Sequence, residues 1–596
     1  MSSMTTPLYL IRNAQEYANE AAFSSKNASG GWDTTTWSEF FEYVMDISKS
    51  LIDVGFEVGD KLSIYSYNRK EWYGAYAASQ MLGGVGVGVY HTCSPEEVEW
   101  VVGNSESKVV FVGNNPMDGG DTSKMPTHRL AAILDKLEDV QSVVIMDGCD
   151  VPDHSKVTTW SEFYTRGNGL ADSVVLERSN SITPDDTSAL IYTSGTTGPP
   201  KGVELTHDNW IYEIDELEKC FKFGQGDRYV SWLPLAHVFG QALDNHYWIR
   251  YALHLYSCDH PLMVVDDAKE IQPHLFIGVP RIYEKIYSTL SAVIASKAIL
   301  KIGLKIPGLK SVFQKKLKAA VGFSDLKVAI SGAAPINPDI LTLFTSLTIP
   351  IFEGYGMTEN TAGATLNYPG HNKIGSVGKA LGGTEMMIAD DGEIMMRGRH
   401  VMKGYYKNPE ATADTIDSEN WLHTGDIGKI DSDGYVYITG RKKEIYVSSG
   451  GKNIAPLVIE ETFKAIPIVS QCFLVGDGRK YCSALFTLDM GAILRDKIGI
   501  PIPEIPKSPY DQYALIQSSG HTLEEYTAGE EVRAEIQSYV DKMNLKFANP
   551  EQLKKFAILP RDFTVDDGEL TPTLKIRRIQ IRENWSDVIE AMYSDA

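Results

Sequence analysis

The sequence is poor in cysteine, and its six (Cys93, Cys149, Cys220, Cys258, Cys472 and Cys482) lie far apart with no C-x-x-C pair. That spacing suggests neither a disulfide framework nor a cysteine zinc site, and it fits a reducing compartment. Positive charge is also scarce: 56 Lys and Arg stand against 78 Asp and Glu, a formal charge of -22. This argues against a general nucleic-acid binder, although a local basic patch can exist within an acidic whole. No apolar run reaches the length of a bilayer span; the nearest, MLGGVGVGVY at 81–90, is short and rich in glycine. The amino-terminal MSSMTTPLYLIRNAQEYANE lacks a basic start followed by an apolar core, and MYSDA at the other end matches no retention, peroxisomal or prenylation signal. The expectation is a cytoplasmic protein whose contact with membranes is peripheral at most.

What is present is an ordinary globular composition, 43% apolar and 22% charged, over 596 residues, more than one core accommodates. Ser38 is a candidate cap for a helix whose apolar residues Phe40, Phe41, Val44, Met45, Ile47, Leu51 and Ile52 recur at helical spacing. A short alternating strand (KLSIYSYN), a helix near 71–82 and the run VGVGVY follow. The same β–α–β grammar returns near 98–112, 186–193, 227–233 and 274–278, which predicts a large α/β domain with parallel sheets. NNPMDGGDTSKMP and PIPEIPKSPYDQ read as loops from their Pro, Gly and Asp content, and DSDGYVYITG as a hairpin. The character changes near Gly440, which places a domain boundary there: 1–440, and 441–596.

The stretch YTSGTTGPPKGV at 192–203 follows the apolar strand SALIY and packs glycines and hydroxyls around one lysine, as a phosphate cradle would. It is not a Walker A loop. Counted from Gly195, Pro200 stands where that motif needs its second glycine and Gly202 where it needs Ser or Thr. Further along come SGAAP at 331–335, EGYGMTE at 353–359, GEIMMRGRHVMKGYYKNPEAT at 392–412, WLHTGDIG at 421–428, GRKKEI at 440–445 and LTPTLKIRR at 570–578.

In this order the segments closely resemble the adenylate-forming superfamily, which includes acyl-CoA synthetases, firefly-type luciferases and peptide-synthetase adenylation domains. The resemblance implies a large amino-terminal domain with parallel-rich sheets and a β-barrel-like subdomain, plus a small mobile α+β carboxyl-terminal domain. It also implies a reaction that joins a carboxylate to the α-phosphate of ATP, expels pyrophosphate and passes the acyl group to coenzyme A. Neither step requires a protein nucleophile, so the protein's task is to position groups and stabilise charge.

Residue by residue, the resemblance implies an ATP site from Thr193, Ser194, Gly195, Thr196, Thr197, Gly198, Pro199, Pro200 and Lys201, with Gly332. To these it adds Glu353, Gly354, Tyr355, Gly356, Met357 and Thr358, with Tyr355 at adenine and Thr358 at the α-phosphate. Glu359 and Thr196 would hold Mg2+ as hard oxygen ligands, Asp426 would accept both ribose hydroxyls, and Arg441 would assist at ribose or phosphate. Lys575 would bridge the α-phosphate and the attacking carboxylate; the common motif has glycine before this lysine, whereas Leu574 stands here, as in the T-P-T-x-K form of long-chain acyl-CoA synthetases. Arg577 and Arg578 read more simply as a basic surface strand. Lys443 would be the hinge, and Gly450, Gly451 and Lys452 would line the coenzyme A channel. His237, in LPLAHVFG, resembles the histidine between the acyl and phosphate sites; by itself it could equally be a satisfied core residue.

SYNRKEWYGAYAASQMLGGVGVGVYHTCSPEEV and EGYGMTENTAGATLN look most like the bubblegum type of long-chain acyl-CoA synthetase, which implies a long-chain fatty acid as substrate. A long apolar tunnel selects chain length because each buried methylene contributes about 0.8 kcal/mol. One departure is Gln241, where a bacterial relative has a gating tryptophan. Alternatives are a fatty acyl-AMP ligase, a medium-chain or aryl-CoA ligase and, remotely, a non-catalytic acyl-binding scaffold. The segment 281–327 is basic, with nine lysines interleaved with apolar residues, and is a candidate for peripheral contact with anionic lipid; a solvated helical face is the plainer reading.

Overall fold

The computed structural model describes residues 4–115, 122–193, 199–296, 306, 309–447, 453–501, 504–565, 567–571 and 575–594. Two large sheets organise the amino-terminal two-thirds. One has eight strands in the order Gly404–Tyr405, Lys201–Thr206, Thr187–Thr193, Val85–Val89, Lys61–Tyr65, Ser107–Val112, Ser142–Ile145 and Val157–Thr159. The pairings from Thr187–Thr193 through Val157–Thr159 are parallel. Val85–Val89 is buried along its whole length, as expected of a central parallel strand covered on both faces. The other sheet has nine strands, with a parallel centre built from Ile351–Tyr355, Val328–Ser331, Leu275–Gly278, Arg228–Ser231, His254–Ser257 and Ala21–Lys26.

The long helix near the amino terminus forms as its periodicity requires, but its cap is Thr36 and not Ser38. Helix Trp37–Asp53 starts one residue before the serine. The Thr36 hydroxyl accepts from the Glu39 backbone N–H while the Glu39 carboxylate accepts from the Thr36 N–H at 2.8 Å, a reciprocal box that Ser38 is too late to make. The PIPEIPKSPYDQ stretch is likewise only partly a loop, because Pro509 opens helix Pro509–Ser518, where proline's missing N–H costs nothing. Residues 116–121 and 502–503 of the two loop assignments lie outside the described residues.

The barrel-like subdomain is an antiparallel four-stranded sheet of Glu385–Ile388, Glu393–Arg397, Leu422–Ile430 and Val436–Arg441. Beyond it, Val469–Val475, Cys482–Leu488 and Leu553–Ile558 form a separate three-stranded sheet flanked by helices. The clusters of buried apolar residues do not mix across this region: those before 440 draw on residues up to Val436, and those after it begin at Tyr446. Polar contacts hold the carboxyl-terminal portion against helix Pro280–Ser296 and its surroundings. Arg281 pairs with Asp489 at 3.2 Å, Arg495 donates to the Ser288 hydroxyl at 2.7 Å, and Lys507 pairs with Asp266.

Arg577 and Arg578 do not form a surface strand. Arg578 opens helix Arg578–Asn584, and its half-buried guanidinium pairs with Glu444 at 3.0 Å and with the buried Glu460. The two carboxylates raise the arginine's already high affinity for its proton. The residue ties the chain just past 440 to the helix Pro456–Lys464.

Candidate active site

Several site residues stand where a parallel strand ends and its loop begins, the usual ligand position in an open α/β sheet. Thr193 ends one strand, Gly332 follows another, and Glu353, Gly354 and Tyr355 close a third. They line one cleft of about 3000 Å³, which also reaches Asp426, Arg441, Lys443 and Lys575. That is several times the volume of a pocket for one drug-sized ligand, and it accommodates more than one substrate.

The lips of the phosphate loop are set by antiparallel pairing of Thr187–Thr193 with Lys201–Thr206, which puts Thr193 opposite Lys201. Pro200 is held through its carbonyl by the Trp100 indole N–H at 2.8 Å, and Pro199 precedes it as an exposed residue. Ser194, Gly195, Thr196, Thr197 and Gly198 lie outside the described residues, as do Gly450, Gly451 and Lys452.

Lys201 rests its ammonium 4.6 Å above the ring of Tyr405, and the Tyr405 hydroxyl donates to Glu359 at 2.7 Å. Tyr405 thereby connects the lysine of the phosphate loop to the expected magnesium ligand. Sequence reasoning passed over it although it lies in the quoted MKGYYKNPEAT; nothing local marks which of the two tyrosines turns inward. Glu359 is buried, sits in the turn Thr358–Asn360 after Met357, and has its carbonyl held by the Met402 N–H at 2.9 Å. With one oxygen engaged by a neutral hydroxyl, the carboxylate keeps lone pairs for a hard cation, so the site fits Mg2+ shared with phosphate oxygens.

Gly356 explains the spacing of EGYGMTE. A Cβ there would lie 2.0 Å from the Ala362 carbonyl oxygen, so the strand can turn back onto the 362–363 backbone only with glycine. Tyr355 donates its hydroxyl to Asp426 at 2.7 Å, while Arg441, directly across the strand pair, approaches the other Asp426 oxygen at 3.3 Å. Both carboxylate oxygens therefore have protein partners, yet each retains capacity for one more donor, as two ribose hydroxyls need. Burial raises the Asp426 pKa, and Arg441, Tyr355 and Lys575 pull against that rise. Burial pushes Glu353 up to about 7 although the backbone N–H groups of Ile336 and Gly375 pull the other way, and its Oε2 has no partner among the described residues.

Lys575 is held against Leu570 and Thr571: Leu570 bridges Ile576, the Thr571 N–H donates to the Lys575 carbonyl at 2.8 Å, and the Lys575 N–H to the Thr571 hydroxyl at 3.0 Å. Its pKa is lowered by surrounding protein and by Arg441, against the opposing pull of Asp426 and Glu359. His237 caps the short helix Val238–Gln241, and its Nδ1 accepts from the Phe239 N–H at 3.2 Å, which leaves the ring proton on Nε2. Surrounding protein and then Lys575 lower its pKa to about 3, so it is a neutral imidazole. Lys443 also faces the cleft; its neighbour Lys442 is the paired one, with Asp391 at 2.6 Å and Glu393 at 2.8 Å.

This constellation, with strand-end loops around a cleft and a lysine brought in from the carboxyl-terminal portion, belongs to a nucleotide-using acid-activating enzyme. Residues 10–406 match the family model described as AMP-binding enzyme, and the chain belongs to that family. Among curated relatives it is 31% identical over 98% of its length to the long-chain-fatty-acid–CoA ligase ACSBG2 of Xenopus laevis, covering 82% of that protein. It is equally similar, 31% over 95% of its length and 93% of the relative's, to the long-chain-fatty-acid–CoA ligase FadD15 of Mycobacterium tuberculosis. The fold is that of adenylate-forming enzymes: an o-succinylbenzoate CoA synthetase of Bacillus subtilis solved with its acyl-adenylate superposes with a TM-score of 0.69 at 20% identity (98% of this chain, 99% of that one). A fatty acyl CoA synthetase of Mycobacterium tuberculosis gives 0.62 at 21% identity, over 98% and 99% of the two chains.

Proposed function

We propose that this chain joins a long-chain fatty acid to coenzyme A through an acyl-adenylate, consuming ATP and releasing AMP and pyrophosphate. The observation that carries the reading is the position of Lys575, in the same cleft as Glu359, Asp426 and His237 and close enough for its charge to act on all three. In this reading Asp426 and Arg441 hold the ribose, and Tyr355 with Gly354 and Gly356 flanks the adenine. Lys201 and the 193–200 loop take the phosphates. Lys575 draws the fatty carboxylate and the α-phosphate together, offsetting the negative charge that builds as the carboxylate oxygen attacks phosphorus and pyrophosphate departs. Mg2+ held by Glu359 and Thr196 would add a Lewis acid at the phosphates. Neutral His237 can donate from Nε2 to the carboxylate without competing for its charge.

The second half-reaction needs the coenzyme A thiol at the acyl carbonyl, and in our reading residues from 441 onward swing as a unit about Lys443 to admit it through a channel at 450–452. The separation of the buried clusters near 440 supports this, and the Arg281–Asp489 and Lys507–Asp266 pairs are contacts that the swing must break. The relatives named as long-chain-fatty-acid–CoA ligases support a long acyl chain.

Membrane contact belongs to a shorter segment than 281–327. Arg281 is engaged by Asp489 and Lys327 by Asp227, so neither is available to lipid. Helix Leu309–Ala320 instead presents exposed Leu309 and Val312, next to exposed Ile306, with exposed Lys310, Lys315 and Lys316. Basic and apolar groups together suit an anionic bilayer. No helix among the described residues is long and apolar enough to cross a membrane. Salt-sensitive cosedimentation with phosphatidylserine vesicles tests this, and salt-insensitive absence of binding removes it.

The catalytic reading is tested by coenzyme A-dependent AMP release from Mg-ATP across fatty acids of eight to twenty-four carbons plus an aryl acid. A maximum at long chains is expected. AMP release without thioester formation would make the protein an acyl-AMP ligase, and turnover of short or aryl acids alone would discard the long-chain assignment.

A further inference from the structure

One buried carboxyl group lines the cleft together with several leucines. Helix His207–Cys220 lies against the π-helical segment Ala242–Tyr247, and its Glu213 lines the cleft together with Leu217, Ala242, Leu243, Leu366 and Leu381. Glu213 is 3% exposed. Its Oε1 accepts the Gly363 N–H at 2.6 Å, and glycine at 363 makes the room, since a Cβ there would sit 3.0 Å from that oxygen. The charged neighbour acting on it is Glu216, itself paired with Lys219, so no cation offsets its burial. Burial, and secondarily Glu216, raise its pKa and so favour the protonated acid, against the pull of the Gly363 N–H. A neutral carboxylic acid has one O–H to give. Oε1 is taken up as an acceptor, so in the protonated form that proton falls to Oε2, and the bond from the Gly363 N–H is the only one Glu213 makes among the described residues.

Anchoring the Gly363 N–H does not by itself account for an acid. That bond uses one oxygen only and leaves the second facing the cleft, where an unmet polar group beside an alkyl chain costs free energy. We propose that Glu213 is a specificity determinant of the acyl channel. It takes a long acyl chain that carries an oxygen, a hydroxyl or keto group, in preference to the unsubstituted chain. The inference rests on the fatty-acid ligase reading and names the substrate class within it. A hydroxyl at the matching carbon accepts the Glu213 O–H, whereas a methylene leaves it unpaired. Sites built to bond a substrate hydroxyl discriminate strongly against the analogue that lacks it.

The experiment measures kcat/KM for AMP release by the full chain with Mg-ATP and coenzyme A. The substrates are hexadecanoic acid and its monohydroxy isomers substituted at successive carbons. At least one isomer is expected to exceed the parent acid by about tenfold or more. Glu213→Leu, which removes the donor, should lower that isomer's advantage at least tenfold, chiefly through KM. Glu213→Gln keeps an acceptor for Gly363 and an N–H for the chain, guards against loss of the loop, and should retain a preference. Parent acid equal to or better than every isomer in the unaltered protein, or an advantage undiminished in Glu213→Leu, overturns the proposal and leaves the ligase reading standing. No AMP release with any acid, the parent included, overturns the ligase reading and this inference with it.

Discussion

Replacing Lys575 by alanine separates the two half-reactions. Two unit charges about 4 Å apart at an effective dielectric of 20 interact by about 4 kcal/mol, and Lys575 lies among Asp426, Glu359 and Arg441, close enough for all three charges to act on it. The part of that interaction which develops only as the carboxylate attacks phosphorus corresponds to about 10²–10³ in rate, the usual cost of removing one preorganised transition-state donor. Lys575→Ala should therefore lose adenylation, read as pyrophosphate release, by at least that factor. It should convert supplied acyl-AMP and coenzyme A to thioester at close to the unaltered rate, because that step does not use the ammonium. The pH dependence follows from the direction of the shift. Lys575 has a lowered pKa and acts protonated, so adenylation should fall with rising pH earlier than an ordinary lysine would allow. Lys575→Arg stays charged throughout; it should be slow, because a planar guanidinium replaces a point charge, and should lack that alkaline limb. Equal loss of both half-reactions in Lys575→Ala, or an alkaline limb unchanged in Lys575→Arg, would refute the assignment.

Tyr405→Phe removes the hydroxyl that holds Glu359, a bond to a charged acceptor of about 1.5–3 kcal/mol. Its apparent affinity for Mg-ATP should fall roughly tenfold or more by titration, and an unchanged value would mean that Glu359 needs no positioning. Gly356→Ala puts a methyl 2.0 Å from a backbone carbonyl oxygen that cannot move aside cheaply; we expect a loss of about 1–3 kcal/mol in denaturant unfolding together with weaker ATP binding, and wild-type values for both would contradict the close approach. Glu460→Ala strips the buried partner of Arg578 and the acceptor of the Leu474 N–H. The carboxyl-terminal portion should lose about 3–5 kcal/mol of stability, visible as an earlier unfolding transition, while a shift under about 1 kcal/mol would show the pair to be dispensable.

Much of this protein was legible in one dimension, for a local reason. A central parallel strand needs an unbroken apolar run and a hairpin needs a turn, so VGVGV and DSDGYVYITG announce their conformations within a dozen residues. The motif order also carried the family, and with it the candidate site. Capping was less legible, because Thr36 and Ser38 are both competent and only the reciprocal bond with Glu39 selects between them.

Tertiary structure decided whatever joins distant segments. Glu359 meets Tyr405 across 46 positions and Tyr355 meets Asp426 across 71. Glu213 bonds Gly363 across 150, and Arg578 reaches Glu444 across 134. No periodicity encodes such pairs, since they depend on which face of each element turns inward when the sheets pack. A glutamate in a helix reads as a solvated residue and an arginine near a basic motif as a surface charge, until burial strips them of water and makes the neighbouring donor or acceptor decide what they do.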